Sequence, residues 1–360
     1  MNSDNNHTTT MRKLLRSKPA CFGLLVIALA FIIAVFAYFF APDGSPFANR
    51  MLPVLANAKP GYSIRVVQVK RDRAPEAVSL FSRLLNGQAS AYQLVPVTSC
   101  HVTGDSLFAD KFVDEGVTSR EVFALNQLAP EPVVTLHYRL GSDRFGRDIL
   151  SRLLIGTRVS LGVGAIAVLI SVTIGILLGA LAGYFRGWVD DVVMWFINII
   201  WSIPTLLLVF AITLVLGKGF WQVFIAVGLT MWVNVARLVR GQVLQVRELQ
   251  YIEATRAMGF SPIRTIVHHI IPNIIGPVIV IAAGNFASAI VVEAGLSFLG
   301  VGVQPPQPSW GLMIKENYNF IITHNPMLAL TPGIAIMLLV LAFNLLGNGL
   351  RDALDVREKV

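Results

Sequence analysis

Charge is scarce in this chain of 360 residues. Only 14% of the residues are charged, whereas 54% are hydrophobic and the mean hydropathy is +0.65. Ordinary soluble domains carry about a quarter charged residues. The scarcity therefore excludes a typical soluble fold and predicts a polytopic membrane protein. The net charge of +8 fits basic residues that flank membrane spans, so nucleic acid is not an expected partner.

Cysteine and catalytic motifs are also rare or absent. Cys21 lies within an apolar run and Cys100 lies far outside it, so the two predict no disulfide framework. The sequence lacks a phosphate-binding G-x-x-x-x-G-K-[ST] loop, an H-E-x-x-H zinc motif and a nucleophile elbow. Adjacent His268 and His269 point about 100° apart on a helix, so they do not chelate one ion together. We therefore expect no catalytic residue, no metal site and no ATP hydrolysis by this chain.

Long apolar runs are what the sequence has in abundance. The run over 20–40 follows a basic segment and predicts a retained first helix with its amino terminus in the cytoplasm. Five more helices are predicted in a transmembrane core over 159–350, the last three over 220–239, 274–299 and 327–346. The predicted fold is all-α, with about six transmembrane helices. Both termini are expected in the cytoplasm, as tails over 1–19 and 351–360, the second of which includes Arg351, Asp352, Arg357 and Lys359.

Residues 41–158 are polar enough to form a region outside the membrane, on the outer side if the first helix begins in the cytoplasm. Alternating β-branched residues predict strands over 63–69 and 91–98, and 79–85 reads as a helix. Thr118 followed by Glu121 predicts a capping box and a further short helix. We expect a small α+β insert without catalytic residues, followed by an amphipathic helix.

A charged stretch, GSDRFGRDILSRLLIGTRVSL, closes this region from Gly141 to Leu161. Its acidic and basic residues predict a charged network around an amphipathic helix at the membrane surface. The pattern resembles the motif before the second helix in C-type permease subunits of the dipeptide and oligopeptide ABC importers, with Ser142 in place of the usual threonine. The resemblance marks an extracytoplasmic family motif made of Gly141, Asp143, Gly146, Arg147, Asp148, Arg152 and Arg158.

A second polar stretch, EATRAMGFSPIRTIVHHIIPN, runs from Glu253 to Asn273 within a predicted cytoplasmic loop over 245–273. Gly259 is expected to end one helix, Ser261 and Pro262 to begin the next, and Pro272 to end it. The charges are too many for the hydrocarbon core, so the stretch lies in water. It resembles the EAA loop of bacterial ABC importer permeases, which implies coupling to an ATPase by Glu253, Ala254, Gly259, Ser261, Pro262, His268 and Pro272.

The predicted fifth helix carries one acidic residue, Glu293. A carboxylate inside the membrane is a candidate for the translocation path, and Ser297 joins it; the alternative is a solvated residue at the outer end of the helix. The following EAGLSFLGVGVQPPQPSWG also resembles the same family, and Trp310 is expected to seat its outer loop at the membrane interface. Glycines at 175, 179 and 183 predict a close helix contact, and Pro204 predicts a tolerated kink in the third helix.

Together the resemblances imply a permease subunit of an ATP-driven importer for peptides in the bacterial inner membrane. They imply a lipid bilayer, a second homologous permease subunit, two ATP-binding subunits and an extracytoplasmic substrate-binding protein as partners. ATP and Mg would bind the partner subunits, and this chain would bind no cofactor. Nickel or glutathione importers of the same class remain alternatives, and so does an ion-coupled secondary transporter with Glu293 as its ion site. The insert over about 53–130 has no counterpart in the shorter family members.

Overall fold

The chain divides into two compact units. The computed structural model describes residues 11–73, 75, 78–114, 116–217, 219–322 and 325–354; Arg357 and Lys359, predicted in the charged tail, lie outside them. The first unit, here called the helical unit, comprises Met1–Phe31, Ser160–Gln304 and Ile334–Val360. The second, the sheet unit, comprises Ile32–Val159 and Pro305–Gly333.

Long apolar helices confirm the predicted membrane class. Among the described residues five helices are long and apolar enough to cross a bilayer, or six when one bent pair counts as a span. A helix suits this environment because it satisfies its backbone hydrogen bonds internally. The helices are α1 (Lys18–Val35), α2 (Ala37–Phe40), α3 (Leu80–Asn86), α4 (Ile149–Phe185), α5 (Gly187–Trp201), α6 (Thr205–Leu216), α7 (Phe220–Val246), α8 (Gln250–Ala257), α9 (Pro262–Thr265), α10 (Ile271–Leu299), α11 (Trp310–Asn317) and α12 (Met327–Leu354).

The predicted glycine contact joins α4 to α7. A Cβ atom on Gly175 would lie 2.6 Å from Val235 Cγ1, and one on Gly183 would lie 2.8 Å from Val243 Cβ. Gly179 meets the same helix between these two points. Any larger side chain would push the helices apart, so the glycines permit this close approach.

The third predicted span is broken rather than kinked. Helices α5 and α6 meet at 94°. Between them, Pro204 is extended, with ψ at 126°. Proline has no N–H to continue a helix, and it disfavours helical geometry at the preceding Ile203. The prediction of a tolerated kink at Pro204 is therefore wrong, because the chain turns through about a right angle.

Pro272 does not end its helix. Residues Ile266–Ile270 form a π-turn in which the Ile271 N–H donates to the Ile266 carbonyl. Pro272 follows directly in the first turn of α10, and the irregular π-turn before it accommodates a residue that has no N–H to donate. The predicted stop at Pro272 is therefore wrong, and the helical path runs from Pro262 to Leu299 as one candidate span.

The last helix also extends beyond its predicted end at 346. Helix α12 continues to Leu354. Arg351 and Asp352 therefore belong to its final turn rather than to a separate tail.

A five-stranded antiparallel sheet forms the core of the sheet unit and confirms the predicted α+β insert. The strand order is β4-β3-β2-β1-β5. Val67 and Val95 pair across β1 and β2, and both are buried with Leu107 and Ala109 of β3. Helix α3 starts where predicted, with Ser79 Oγ accepting from the Ser82 N–H at 3.2 Å. The strands are β1 (Tyr62–Lys70), β2 (Tyr92–Thr103), β3 (Ser106–Asp114), β4 (Val117–Ala124) and β5 (Leu128–Tyr138).

The predicted capping box at Thr118 and Glu121 is wrong. Both residues belong to β4, where Thr118 pairs with Phe112 and Glu121 pairs with Ala109 of β3. Glu121 also forms an ion pair with Lys111 at 2.8 Å. The strand is favoured because a full ladder of cross-strand hydrogen bonds outweighs one local cap.

Candidate functional site

The polar stretch from Glu253 to Asn273 begins with a short helix closed by a glycine. Gly259 has φ at 78°, in the left-handed region that glycine adopts without strain. Its N–H donates to the Arg256 carbonyl at 2.9 Å, and the Phe260 N–H donates to the Thr255 carbonyl at 3.0 Å. These two bonds form a Schellman motif, as the sequence predicted for this glycine.

The second short helix starts with the predicted cap. Ser261 Oγ accepts from the Arg264 N–H at 3.4 Å, and Pro262 occupies the first turn. The hydroxyls of Thr255 and Thr265 lie 3.5 Å apart and join the two helices. Local sequence therefore specifies a compact helix–turn–helix, which we call the knob (residues 250–273).

The underside of the knob is anchored in the helical unit. Four isoleucines are buried there in one cluster with side chains of α4 and α7. Those side chains include Tyr184, Val239 and Val243. Burying a large aliphatic side chain stabilises by about 1.5–3 kcal/mol. The knob is therefore not a loose loop. Three of them, Ile252, Ile266 and Ile270, belong to the knob, and the fourth, Ile274, follows directly after it.

The opposite face of the knob is open. Met258 is 64% exposed and Ile263 is 74% exposed, with half-exposed Val267 and Tyr251 beside them. Exposed apolar side chains rimmed by polar ones are typical of protein contact surfaces. All residues that the resemblance assigned to ATPase coupling are exposed: Glu253, Ala254, Gly259, Ser261, Pro262, His268 and Pro272.

Ion pairs hold the neighbouring turns of the helical unit. Arg240 forms a bidentate pair with Asp190, at 2.5 and 2.6 Å. Arg186 pairs with Glu248 at 2.7 Å. Arg247 donates to the Tyr184 carbonyl. Burial, followed by repulsion from nearby arginines, lowers the pKa of Arg247 from its ordinary value.

The predicted charged network of the outer motif exists, but it is buried. Arg147 Nε lies 2.6 Å from Asp143 Oδ2, and its Nη2 lies 2.7 Å from Glu316 Oε2. Arg152 lies between the same two carboxylates at 3.8 and 3.5 Å. Asp143 and Arg152 are 0% exposed and Arg147 is 2% exposed. The prediction of a surface amphipathic helix is therefore wrong here, because Asp143 and Arg147 before α4 and Arg152 in its first turn are all buried.

Glu316 was not predicted from the sequence. Its side chain balances the two buried arginines, which would otherwise share one carboxylate. The sequence feature that could have indicated such a partner is a surplus of arginine. The motif contains Arg144, Arg147, Arg152 and Arg158 but only two aspartates. That surplus called for an acidic partner from elsewhere in the chain.

The motif also clamps the segment from Asp43 to Ala58. Ser142 Oγ donates to the Leu55 carbonyl and accepts from the Ala58 N–H at 2.9 Å. The Asn57 N–H donates to the Asp143 carbonyl at 3.0 Å. Gly146 faces the Leu52 carbonyl so closely that a Cβ atom would overlap it, and Gly146 has φ at 71°. Glycine is therefore required at this point of the motif.

Asp148 caps the first turn of α4. Its Oδ2 accepts from the Ser151 N–H at 2.8 Å and from the Ser151 hydroxyl. Burial raises the pKa of Asp148, and the two hydrogen bonds from Ser151 oppose the rise. Ser151 Oγ in turn accepts from the Asp43 N–H at 2.8 Å, which extends the clamp.

Arg158 serves a different purpose from the buried network. It donates to the carbonyls of Ala34 and Val35 at 2.5 and 2.9 Å, at the end of α1. It also donates to the carbonyls of Leu84 and Leu85 at 2.7 Å, in the last turn of α3. The guanidinium thus caps two helix ends whose carbonyls lack helical donors.

Trp310 is buried rather than seated at an interface. It is 3% exposed, and its Nε1 donates to the Leu153 carbonyl at 3.0 Å. Gly156 of α4 leaves room for the indole ring, because a Cβ there would lie 2.9 Å from Trp310 Cδ1. The predicted interfacial position of Trp310 is therefore wrong.

Glu293 and Ser297 are brought together on α10. Glu293 is 0% exposed, and Ser297 Oγ donates to its Oε1 at 2.6 Å while accepting from the Val303 N–H at 3.0 Å. The alternative of a solvated Glu293 is therefore wrong. A place for either residue on the translocation path stays a prediction.

A polar cavity in the helical unit was missed. Its volume is about 210 Å³, and it lies beside the break between α5 and α6. Asn285 is buried there and donates to the Met231 carbonyl at 3.5 Å. The sequence feature that could have indicated this cavity is the presence of polar residues one helical turn apart on α7 and on α10. The polar lining is made of Thr205, Thr230, Asn234, Asn285 and Ser288.

Comparison with known proteins covers most of the helical unit. Residues 175–360 match the model of the binding-protein-dependent transport system inner membrane component. The chain is 43% identical over 220 residues to the glutathione transport system permease protein GsiD of Pectobacterium atrosepticum, covering 61% of this chain and 73% of that protein. It is 42% identical over 219 residues to the dipeptide transport system permease protein DppC of Alkalihalophilus pseudofirmus, covering 61% and 72%.

Among solved structures, a chain of the inward-facing MetNI methionine ABC transporter aligns with a TM-score of 0.48 at 20% identity, covering 57% of this chain and 97% of that chain. The sequence matches support the predicted importer permease over an ion-coupled transporter. The protein is accordingly a multi-pass inner-membrane protein. The chain belongs to the binding-protein-dependent transport system inner membrane components, in the branch of dipeptide and glutathione ABC permeases.

Proposed function

We propose that this permease subunit forms half of the translocation pathway of a peptide importer and receives its driving force through the knob. The observation that carries the proposal is the division of the knob into two faces. Its isoleucine underside is buried in the helical unit, whereas all seven residues assigned to coupling face outward. A rigid element with one open, partly apolar face is suited to docking a partner protein.

The cargo we propose is a short peptide, a dipeptide or glutathione. Two relatives are named as glutathione and dipeptide permeases, and each is more than 40% identical to this chain over some 220 residues. The polar cavity beside the α5–α6 break supports this class of cargo. Its lining supplies amide and hydroxyl groups, which hydrogen-bond to peptide amides.

The partners we propose are a second homologous permease subunit, two ATP-binding subunits and an extracytoplasmic substrate-binding protein. ATP and Mg bind the ATP-binding subunits, which carry out the hydrolysis, and this chain binds no cofactor. Both termini lie in the cytoplasm, on the side of the knob. Four basic residues at and just before the start of α1 support this orientation: Arg12, Lys13, Arg16 and Lys18.

The mechanism we propose is alternating access with α10 as the lever. The knob continues through the π-turn into α10, so one helical path joins Pro262 to Leu299. Displacement of the knob by closing ATP-binding subunits therefore moves the buried Asn285 and Glu293 as part of the same element. A π-turn is a local irregularity at which such a helix can bend.

Uptake by reconstituted vesicles tests the proposal. Vesicles with both permease subunits, the ATP-binding subunits and the binding protein should accumulate a radiolabelled dipeptide only when ATP is supplied to the knob side. Vesicles with this chain alone should not accumulate it under a proton or sodium gradient. Uptake driven by an ion gradient in this chain alone would contradict the proposed function.

A further inference from the structure

A large cleft lies wholly within the sheet unit, in the insert that the motifs leave unexplained. Its volume is about 970 Å³. It is lined by residues of the segments 43–53 and 88–94, together with Arg71 and Arg83. Ligand sites of proteins commonly occupy about 300–1,000 Å³. The cleft is therefore large enough for a ligand of several residues.

The lining of the cleft is positively charged. It contains three arginines, Arg50, Arg71 and Arg83, and one acidic residue, Asp43. The Asp43 carboxylate already accepts from the N–H groups of Ser45 and Arg50 at 3.0 and 3.1 Å. Within the described part of the chain, Arg71 and Arg83 are exposed and form no ion pair. Their charges are therefore available to an anion.

The walls of the cleft are held by backbone contacts rather than by flexible side chains. The Gln88 N–H donates to the Gly44 carbonyl at 2.9 Å, and the Arg71 N–H donates to the Ala91 carbonyl at 3.1 Å. Gly87 packs so closely that a Cβ atom would lie 2.7 Å from the Gly44 oxygen. A preformed cleft loses little conformational entropy when it binds a ligand.

Two residues that line the cleft are also hydrogen-bonded to the outer motif. Asn49 Oδ1 accepts from Arg147 Nη1 at 3.4 Å, and the Asp43 N–H donates to Ser151 Oγ at 2.8 Å. Ser45 lines the cleft, and its Oγ is buried without a hydrogen-bond partner among the described residues.

We propose that this cleft binds a short anionic peptide, one that carries several carboxylates. Arginine side chains match the planar geometry of a carboxylate and bind it through two parallel hydrogen bonds. The remaining polar lining, Gln88, Ser90 and Gln93, supplies donors and acceptors for a peptide backbone. The site lies outside the polar cavity and the knob, so it goes beyond the proposed transport function and does not depend on it.

Binding of fluorescent tetraglutamate to the full chain in nanodiscs tests this inference, with tetraglutamine as the uncharged probe. The variants are Arg83→Glu and Arg71→Glu in the cleft. The matched control is Arg120→Glu, an exposed arginine of β4 outside the cleft. We expect tetraglutamate to bind more tightly than tetraglutamine. Each cleft variant should weaken binding about tenfold and the control less than about twofold.

Salt provides a readout that needs no variant. Binding of tetraglutamate should weaken steadily as sodium chloride is raised, because exposed charge pairs are screened. Equal affinity for the two peptides, or equal weakening by Arg83→Glu and Arg120→Glu, would overturn the inference. It would also be overturned if the cleft variants changed only stimulation by the substrate-binding protein, because the occupant would then be a protein surface. The two peptide-binding readouts are measured without ATP or partner subunits, so failure here is distinct from failure of the proposed function.

Discussion

The knob and the outer motif share a resemblance to one family, yet they use charged residues in opposite ways. In the knob, Glu253 and His268 are exposed, and the buried side consists mainly of isoleucine. In the motif, Asp143, Arg147 and Arg152 are almost fully buried, and the two arginines pair with Asp143 and Glu316. The first arrangement offers a surface to a partner, whereas the second holds the chain's own segments together.

This difference teaches how a motif's role can be read from burial. Buried charges are costly unless they are paired and hydrogen-bonded, so their partners are fixed within the fold. Exposed charges cost little and contribute little to stability, so a cluster of them at a rigid element points to an external contact. Substitutions should therefore separate the two regions, with losses of stability in the motif and losses of association in the knob.

The largest loss of stability should come from Glu316→Ala in the buried network. Removing one member of a buried ion pair costs about 3–5 kcal/mol, because Arg147 and Arg152 would lose a shared carboxylate. Thermal unfolding in nanodiscs measures the effect. Lys315→Ala, at the exposed neighbouring position, is the control and should unfold like the wild type. Equal behaviour of the two variants would show that the network does not stabilise the sheet unit.

Tyr138 gives the next effect, which appears only at alkaline pH. Its hydroxyl donates to the Gly146 carbonyl at 3.3 Å, and burial raises its pKa from 10.0 to about 12. The unfolded chain thus loses this proton first, so stability should fall between pH 10 and 12, by roughly 3 kcal/mol in total.

Tyr138→Phe should remove this alkaline loss, at a cost of about 1 kcal/mol at neutral pH for the missing hydrogen bond. Unfolding midpoints across pH 8–12 measure it. Tyr251→Phe, on the exposed face of the knob, is the matched control and should keep the wild-type pH profile. A steep alkaline loss that persists in Tyr138→Phe would argue against this origin.

Gly259→Pro should destabilise the protein less than Glu316→Ala does, but it should impair transport. Proline cannot adopt φ at 78° and removes the N–H that donates to Arg256, so we expect a local loss of about 1–3 kcal/mol. ATP-dependent uptake should nevertheless be abolished, with membrane insertion intact. Gly104→Pro, at φ of 61° in the sheet unit, is the control and should retain uptake. Normal uptake by the Gly259→Pro variant would break the proposed link between knob shape and transport.

Glu253→Lys should have the smallest effect on stability, within about 0.5 kcal/mol, because its side chain is exposed. Its binding to the ATP-binding subunits should instead weaken about tenfold, measured by co-purification at several salt concentrations. Glu131→Lys makes the same charge change at an exposed position of β5 and should leave co-purification unchanged. Parallel behaviour of the two variants would remove the reason to place the partner on the knob.

Local signals predicted the knob well and the outer region only in part. The Gly259 turn and the Ser261 cap depend on neighbouring residues alone, so sequence could specify them. The prediction of a helix end at Pro272 was wrong, because a π-turn just before this proline allows the helix to continue. Thr118 misled because strand pairing with β3 decides its conformation.

The long-range contacts were the least accessible to sequence. Glu316 lies 169 positions from Arg147 along the chain, so no local pattern links them. The cavity lined by Asn285 depends on a break near Pro204 whose angle is set by tertiary packing. The sequence does contain the excess of arginine in the motif and the regularly spaced polar residues on α7 and α10. It does not reveal that Glu316 pairs with the arginines or that the polar residues line a cavity.

Hydrogen exchange of the chain in nanodiscs, with and without its ATP-binding subunits, tests the contrast between the two regions most directly. We expect amides over 250–270 to exchange more slowly when the subunits are present, because docking would cover the exposed face of the knob. Amides over 143–158 should exchange slowly in both samples, because their network is already closed. Unchanged exchange in the knob, with new protection in the outer motif, would contradict the assignment of the knob as the docking surface.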